Sequence, residues 1–432
     1  MTAMRLTRGY AREFGLFTAS TILFQASRFL FALAAARSLA PEDFTAWALV
    51  VALLVYAPSL LFGVTNGMSR EVPILTGQGL AGRVRRAVDA AWATTVLAVT
   101  LILVGAAVVA VIVPAVVSPS LTVGVLASGT IVFGTQQFIL RSKLRFDAAS
   151  AQQATFGLVA LITAAALALM GDADFRTAAI LYGIPLIIAI LAGLVVTPPP
   201  IPPRLVPGEV LRLATIGFPI MLAGLVFSLF VTLDRWVAIT LLGPHGAAPY
   251  ALASLIAAAM LVVPTVVSQQ TYPRMAIARG RGAQVGELHT MARHQGLLAA
   301  GLVLPLAGGI ALFVWLAIPV VLPAYTAAAP SAIILALGFV ALAFLTGYGN
   351  YLNVVGGQWR YLAAQVTGVA TGAVLMLVGG RLWGLTGIAL GMAASHVVYG
   401  AILRAVALRT GLISDEPLVS HPAPRGDEVV DR

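Results

Sequence analysis

The chain has 432 residues, 60% of them hydrophobic and 10% charged, with a formal net charge of +10. A soluble domain carries about a quarter charged residues, so the composition excludes one and indicates a polytopic membrane protein. The absence of cysteine excludes disulfides, thiolate metal sites and cysteine nucleophiles, and five scattered histidines show no ligand spacing.

A bilayer crossing takes about 20 apolar residues. Twelve such stretches follow one another, at 14–36, 44–65, 88–113, 121–140, 154–170, 177–197, 212–242, 247–268, 296–318, 327–350, 361–380 and 385–408. The first follows Arg5, Arg8 and Arg12 and ends in ALAAARS, which imitates a signal peptide. It is too long for one and contains Gln25 and Arg28, so it reads as a retained helix. The seventh is overlong and is expected to tilt, to protrude, or to kink near Pro219.

With the N-terminus in the cytoplasm, 21 of the 26 Lys and Arg residues fall on the inner side. Only Arg37, Arg176 and Arg381 fall outside, and Arg28 and Arg235 lie within spans. That asymmetry predicts a multi-pass protein of the cytoplasmic (inner) membrane with both termini inside. The basic clusters at 83–86 and 141–145 are accounted for by the same rule. Outer loops are short, which argues against a membrane glycosyltransferase or polymerase.

An internal repeat is visible at an offset of 203 residues. LAPEDFTAWAL (39–49) matches LGPHGAAPYAL (242–252), and the same shift lays SREVP (69–73) over TYPRMA (271–276). Six spans per repeat predict two halves of equal orientation, related by an axis along the membrane normal. The expected organisation is a first lobe over 1–197, a Pro-rich linker over 198–211, a second lobe over 212–410 and a disordered tail over 411–432.

Polar residues inside spans are costly and usually face a bundle interior or a water-filled cavity. Thr18, Thr21, Gln25 and Arg28 recur on one face of the first span. Gly217, Met221, Gly224, Ser228, Thr232 and Arg235 form a similar stripe on the seventh, with Asp234 beside it. The depth difference between Arg28 and the Asp234–Arg235 pair is about 5 Å at the helical rise, which places them within mutual reach. One reading is a cationic cavity in which Arg28 and Arg235 attract an anionic head group, with Asp234 as counter-ion or ion-coupling residue. The other is a buried Asp–Arg pair that only locks helices. Asn350 and Asn353, and Gln136 and Gln137, either meet sugars or bond between helices.

An ordered set of softer motifs runs through residues 10–410: GLFTASTILFQASRFLFALAAARSLAPEDFTAWAL, GVTNGMSREVP, TLDRWVAITLLGPHGAAPYALA, LPAYTAAAPSAIILAL, GGQWRYL and LWGLTGIALGMAAS. Together they resemble the polysaccharide-export, O-antigen flippase branch of the multidrug/oligosaccharidyl-lipid/polysaccharide exporter superfamily. The resemblance implies an all-α, MATE-like bundle of two six-helix lobes working as a monomer by alternating access. It implies a lipopolysaccharide-type pathway, in which a polyprenyl-pyrophosphate-linked oligosaccharide meets biosynthetic partners and no nucleic acid. The family acid ahead of the Leu-Gly-Pro turn falls on Asp234, and Arg235 directly after it departs from the pattern. No cofactor is implied beyond coupling to a proton or sodium gradient. A cation-coupled multidrug antiporter of the same superfamily is the alternative.

Overall fold

The computed structural model describes residues 8–113, 117–200, 206–321 and 326–413. The C-terminal tail from 414 and linker positions 201–205 lie outside these residues. In hydrocarbon each backbone polar group needs a partner within its own segment, and helices provide it. The described chain is accordingly helical: α1 (Arg8–Ser38), α2 (Pro41–Tyr56), α3 (Val64–Gly77), α4 (Ala81–Ile112), α5 (Val117–Ser142), α6 (Phe146–Met170), α7 (Phe175–Val196), α8 (Pro207–Phe230), α9 (Leu233–Ala258), α10 (Val262–Gly280), α11 (Val285–Val321), α12 (Ala328–Val355) and α13 (Gln358–Ile413). Large apolar side chains such as Leu169, Val195 and Val320 are more than 80% exposed, an outer surface suited to lipid rather than water.

Eleven stretches are long and apolar enough to cross a membrane. The last, Gln358–Thr410, holds 53 residues, about 80 Å of helix at 1.5 Å per residue and enough for two crossings. It is broken at Trp383 and Gly384, the latter at φ 58, in the gap expected between the last two spans. The seventh span differs from expectation. Pro219 sits inside α8, and the helix stops instead at Phe230 and restarts at Leu233. Its continuation breaks again at Gly243, at φ 69.

The repeat survives in these irregularities. The second crossing is α2, a 3₁₀ turn at Ala57–Leu61, then α3; the eighth is α9, a 3₁₀ turn at Ala259–Leu261, then α10. At the 203-residue offset the two turns overlap, the first falling on 260–264 and the second spanning 259–261. Helices α1–α7 pack chiefly on one another around Phe31, Trp47, Phe156 and Tyr182, and α8–α13 around Tyr250, Leu335, Tyr351 and Met392.

The halves meet through α3 against α8 and α10, α1 against α10, and α4 against α8. Two small clusters cross the boundary: Leu213 enters among Val64, Met68, Ala87 and Ile139, and Val266 enters among Phe17, Leu140 and Phe146. These contacts gather at the end of the bundle that carries most of the arginines. By contrast α2 packs on α5 and α7 of its own half, and α9 on α12 and α13 of its own. The molecule is therefore joined at its arginine-rich end.

Glycine makes that joint close. A Cβ on Gly77 would lie 3.0 Å from the Gly280 Cα and overlap the Ile277 carbonyl oxygen. A Cβ on Gly280 would lie 3.1 Å from the Gly77 Cα and overlap the Ile74 carbonyl oxygen. Gly77 and Gly280, and Ile74 and Ile277, are both 203 residues apart. The contact is thus self-complementary about the pseudo-two-fold axis, as in the two-fold interface of a homodimer. Gly67 and Gly217 admit α8 against α3 in the same way.

Candidate functional site

The arginine-rich end is closed by charge as well as by packing. Glu71 on α3 is 8% exposed and sits between Arg70, with which it pairs directly, and Arg212 of α8 at 2.6 Å. Arg212 also reaches Glu209 at 2.7 Å. Arg70 crosses to the other half, donating from Nε to the Asn353 carbonyl at 2.6 Å and from Nη2 to the Val354 carbonyl at 3.1 Å. On the opposite side of the pseudo-two-fold, Arg274 of α10 donates to Glu13 of α1 at 2.5 Å. Removing one member of such a buried pair leaves an uncompensated charge and is costly. Each pair but Arg212–Glu209 joins different helices across the boundary or braces one that does.

Just inside this closure, a cavity of about 180 Å³ lies between the halves. Asn66 and Ser69 of α3, Phe138, Arg141 and Ser142 of α5, Ile220 of α8, Ser268, Gln269 and Tyr272 of α10, and Asn350 and Asn353 of α12 line it. Its walls combine apolar surface from Phe138, Ile220 and Pro273 with amides, hydroxyls and a single arginine, and hold no carboxylate.

The residues singled out from the sequence fall in three places. Asp234, 2% exposed, accepts hydrogen bonds from the Ser254 hydroxyl at 2.8 Å, the Tyr250 hydroxyl at 3.1 Å and the Arg235 backbone N–H at 2.9 Å. Arg235 donates from Nε to the Ser254 hydroxyl at 3.0 Å. The two side chains thus share Ser254 without pairing directly, and every partner belongs to α9. Arg28 reaches only Gln25 of its own helix, at 3.5 Å, and lies over the Phe24 ring. The structure therefore brings Asp234 and Arg235 together but does not join them to Arg28 through any contact.

The polar stripes are largely satisfied where they stand. Thr21 is buried and donates to the Phe17 carbonyl and to Gln153 Oε1 at 3.0 Å. Ser228 and Thr232 bond back to the Gly224 and Ser228 carbonyls, the local pattern that helical hydroxyls adopt. Asn350 does line the cavity, yet its amide is held by Ser268 and Gln295. Gln136, Gln137, Gln152 and Gln153 form a bonded cluster that ties α5, α6 and α7. Gly347 marks close packing, since a Cβ there would lie 2.9 Å from the Ala292 carbonyl carbon.

Sequence reasoning missed Glu71, Arg212, Arg141, Tyr250 and Ser254. Glu71 had a signal, a lone acid directly after an arginine in an otherwise basic stretch. Arg141 was absorbed into the loop-charge asymmetry.

No family model matches the chain, and no curated protein does. Solved structures do. An outward-facing multidrug resistance MATE family transporter of the multidrug/oligosaccharidyl-lipid/polysaccharide superfamily superposes with a TM-score of 0.76 at 15% identity, covering 94% of this chain and 97% of its own. The fold is that of the MATE transporters. A MATE structure in a straight conformation gives 0.76 at 16% identity over 93% of this chain and 96% of that one. A bent conformation gives 0.71, also at 16%, over 94% and 97%. These likenesses cover 93% or 94% of this chain.

Proposed function

We propose that this protein is an exporter working by alternating access, and that its cargo is the head group of a polyprenyl-pyrophosphate-linked oligosaccharide. The arginine-rich end faces the cytoplasm by the loop-charge rule. The conformation seen is then the one closed to the cytoplasm. The halves rock about the glycine contacts, breaking and remaking the ion pairs of Glu71 and Glu13. The sugars travel between the halves while the lipid tail stays in the bilayer.

The single observation carrying the cargo assignment is the cavity lining, which offers an arginine and many hydrogen-bonding groups but no acid. A cationic drug needs an acid in the pathway. Among the described residues the two buried carboxylates are Glu71 and Asp234, and both are already engaged by protein partners. Asp234, held by Tyr250 and Ser254, is the coupling residue in this reading, and Arg28 and Arg235 guide the anionic group further out. The multidrug reading draws support from the solved neighbour described as a multidrug resistance transporter.

The test is the surface and intracellular glycan profile of a strain lacking the protein, complemented by wild type or Asp234→Asn. Loss of a surface polysaccharide with its lipid-linked precursor retained inside, restored by wild type and not by stably expressed Asp234→Asn, is the expected result. An unchanged profile with altered resistance to cationic drugs refutes the cargo assignment.

A further inference from the structure

The arginines of the junction are not equivalent. Arg70, Arg212 and Arg274 each pair with a carboxylate. Arg141 does not: no carboxylate lies within ion-pair distance of it among the described residues. Its Nε donates to the Gln137 carbonyl one turn back at 3.0 Å, and its guanidinium lies over the Phe138 ring with 5.0 Å to the centroid. Both contacts fix its direction and leave its charge uncompensated, at the edge of a cavity that it lines.

Three residues that line the same cavity carry buried side-chain atoms without protein partners. Asn353, 7% exposed, has an unpaired Oδ1; Gln269 Oε1 and the Tyr272 hydroxyl are likewise buried and unpaired. Buried polar atoms normally find partners, and these three belong to residues that line the same cavity as Arg141. An arginine asks for an anionic oxygen, bound through its planar fork. Amide oxygens ask for hydroxyl or N–H donors. A bare phosphate supplies the first and few of the second; a neutral sugar supplies only the second. At about 180 Å³ the space is smaller than the roughly 300–1,000 Å³ of a drug-sized site, so it takes one moiety rather than a whole oligosaccharide.

We propose that Arg141, with Asn353, Gln269 and Tyr272, forms a binding site for a single sugar ring bearing a negative group, phosphate or carboxylate, held between the halves in the closed-to-cytoplasm state. This deepens the export reading and rests on it for biological meaning, though not for the chemistry. The site lies beside the closure, where Asn353 presents its side chain to the cavity while its carbonyl accepts from Arg70. An occupied cavity therefore touches the same residue that the closing arginine holds.

The chain has no cysteine, so Ser69→Cys places a single thiol in the cavity wall. In the purified protein, its reaction rate is measured with a sulfonate-bearing and with a trimethylammonium-bearing methanethiosulfonate. The anionic reagent is expected to react about tenfold faster or more, the range by which a charged cleft concentrates counter-ions. Arg141→Gln is expected to abolish that preference and Arg141→Lys to retain it. Glucose 1-phosphate and glucuronate at millimolar concentration should slow labelling, inorganic phosphate less so and glucose least, with Arg141→Lys losing most of the protection. Equal rates for the two reagents, or a ratio unchanged by Arg141→Gln, overturn the site; intact charge preference without protection by either acidic sugar overturns its ligand class. The measurement needs no transport. A protein that behaves as stated here, from a strain whose glycans are unaltered by its loss, keeps the site and refutes the export reading.

Discussion

Gly280→Ala tests the closure most directly. The new Cβ would sit 2.9 Å from the Ile74 carbonyl carbon and 3.1 Å from the Gly77 Cα, where carbon atoms prefer about 3.5–4.0 Å. Backbone, not a flexible side chain, stands in the way, so α10 and α3 must part by about 1 Å at that point. The hydrogen bonds from Arg70 to Asn353 and Val354, at 2.6 and 3.1 Å, lie on the same side of the molecule and lengthen with it. Overpacking of this sort costs about 1–3 kcal/mol, and here the cost falls on the closed state alone. The equilibrium between closed and open is then expected to move toward open by about 5–150-fold. Labelling of Ser69→Cys by a membrane-impermeant maleimide, added from the arginine-rich side of vesicles, reads that shift as a faster rate. Gly77→Ala should act alike, and the double variant should fall short of additivity because the first change has already separated the helices. Gly301→Ala is the control, since nothing lies within 4 Å of a Cβ there. A folded Gly280→Ala protein labelled no faster than the Gly301→Ala control would refute the assignment of this contact as the closing surface.

Three further outcomes follow from other parts of the molecule. Glu71→Gln leaves Arg70 and Arg212 facing each other without their shared carboxylate, and breaking a buried pair costs about 3–5 kcal/mol; faster Ser69→Cys labelling and a lower unfolding temperature are expected, with Arg212→Leu in the same background restoring part of the loss. Gln152→Leu removes the bonds to Gln136 Oε1 at 2.6 Å and to the Ala189 carbonyl at 3.1 Å and strands buried amides, so thermal stability in detergent should drop by about 1–3 kcal/mol with labelling of the cavity unchanged. Asp174 caps α7 by accepting from the Thr177 N–H at 2.9 Å, and its bonds to Thr177 hold the carboxyl below the usual carboxylate range. Because the folded state depresses this pKa, the cap's contribution is complete above the unfolded-state value and fades as pH falls through the folded one. Asp174→Ala should lose about 1 kcal/mol near neutrality, and wild type and variant should converge in stability on acidification, as followed by thermal unfolding against pH.

The fold was legible because lipid imposes simple rules on sequence. Runs of apolar residues placed all twelve crossings, and the recurrence at 203 residues foreshadowed both the matched 3₁₀ turns and the Gly77–Gly280 contact. The seventh crossing shows the limit. Proline marks a helix break in water, but Pro219 fits inside α8, and the interruption falls at Val231–Thr232, where no strong breaker stands. The sequence singled out residues rather than their partners. Asp234 is buried, but its partners Tyr250 and Ser254 lie beyond the Gly243 break, and their approach depends on how the chain turns there. Arg28 and Arg235 lie at depths about 5 Å apart in sequence terms, and depth says nothing about direction around a helix. Arg141 was hidden by a rule that works too well: each arginine at that end satisfies the topology signal, so none stands out until carboxylates are assigned to its neighbours.

The Gly77–Gly280 contact carries one more consequence. A surface that meets its own repeat copy across a two-fold axis is adhesive to itself. Either half, made alone, would expose a glycine contact whose geometry also suits a second copy of the same half. A covalent join between the halves, with α8 beginning at Pro207, favours the proper pairing by proximity rather than by recognition. Tethering holds the second half near the first at an effective concentration of about millimolar, far above that of any stray copy in the membrane. The joined chain can therefore keep a self-complementary contact between its halves without aggregating through it.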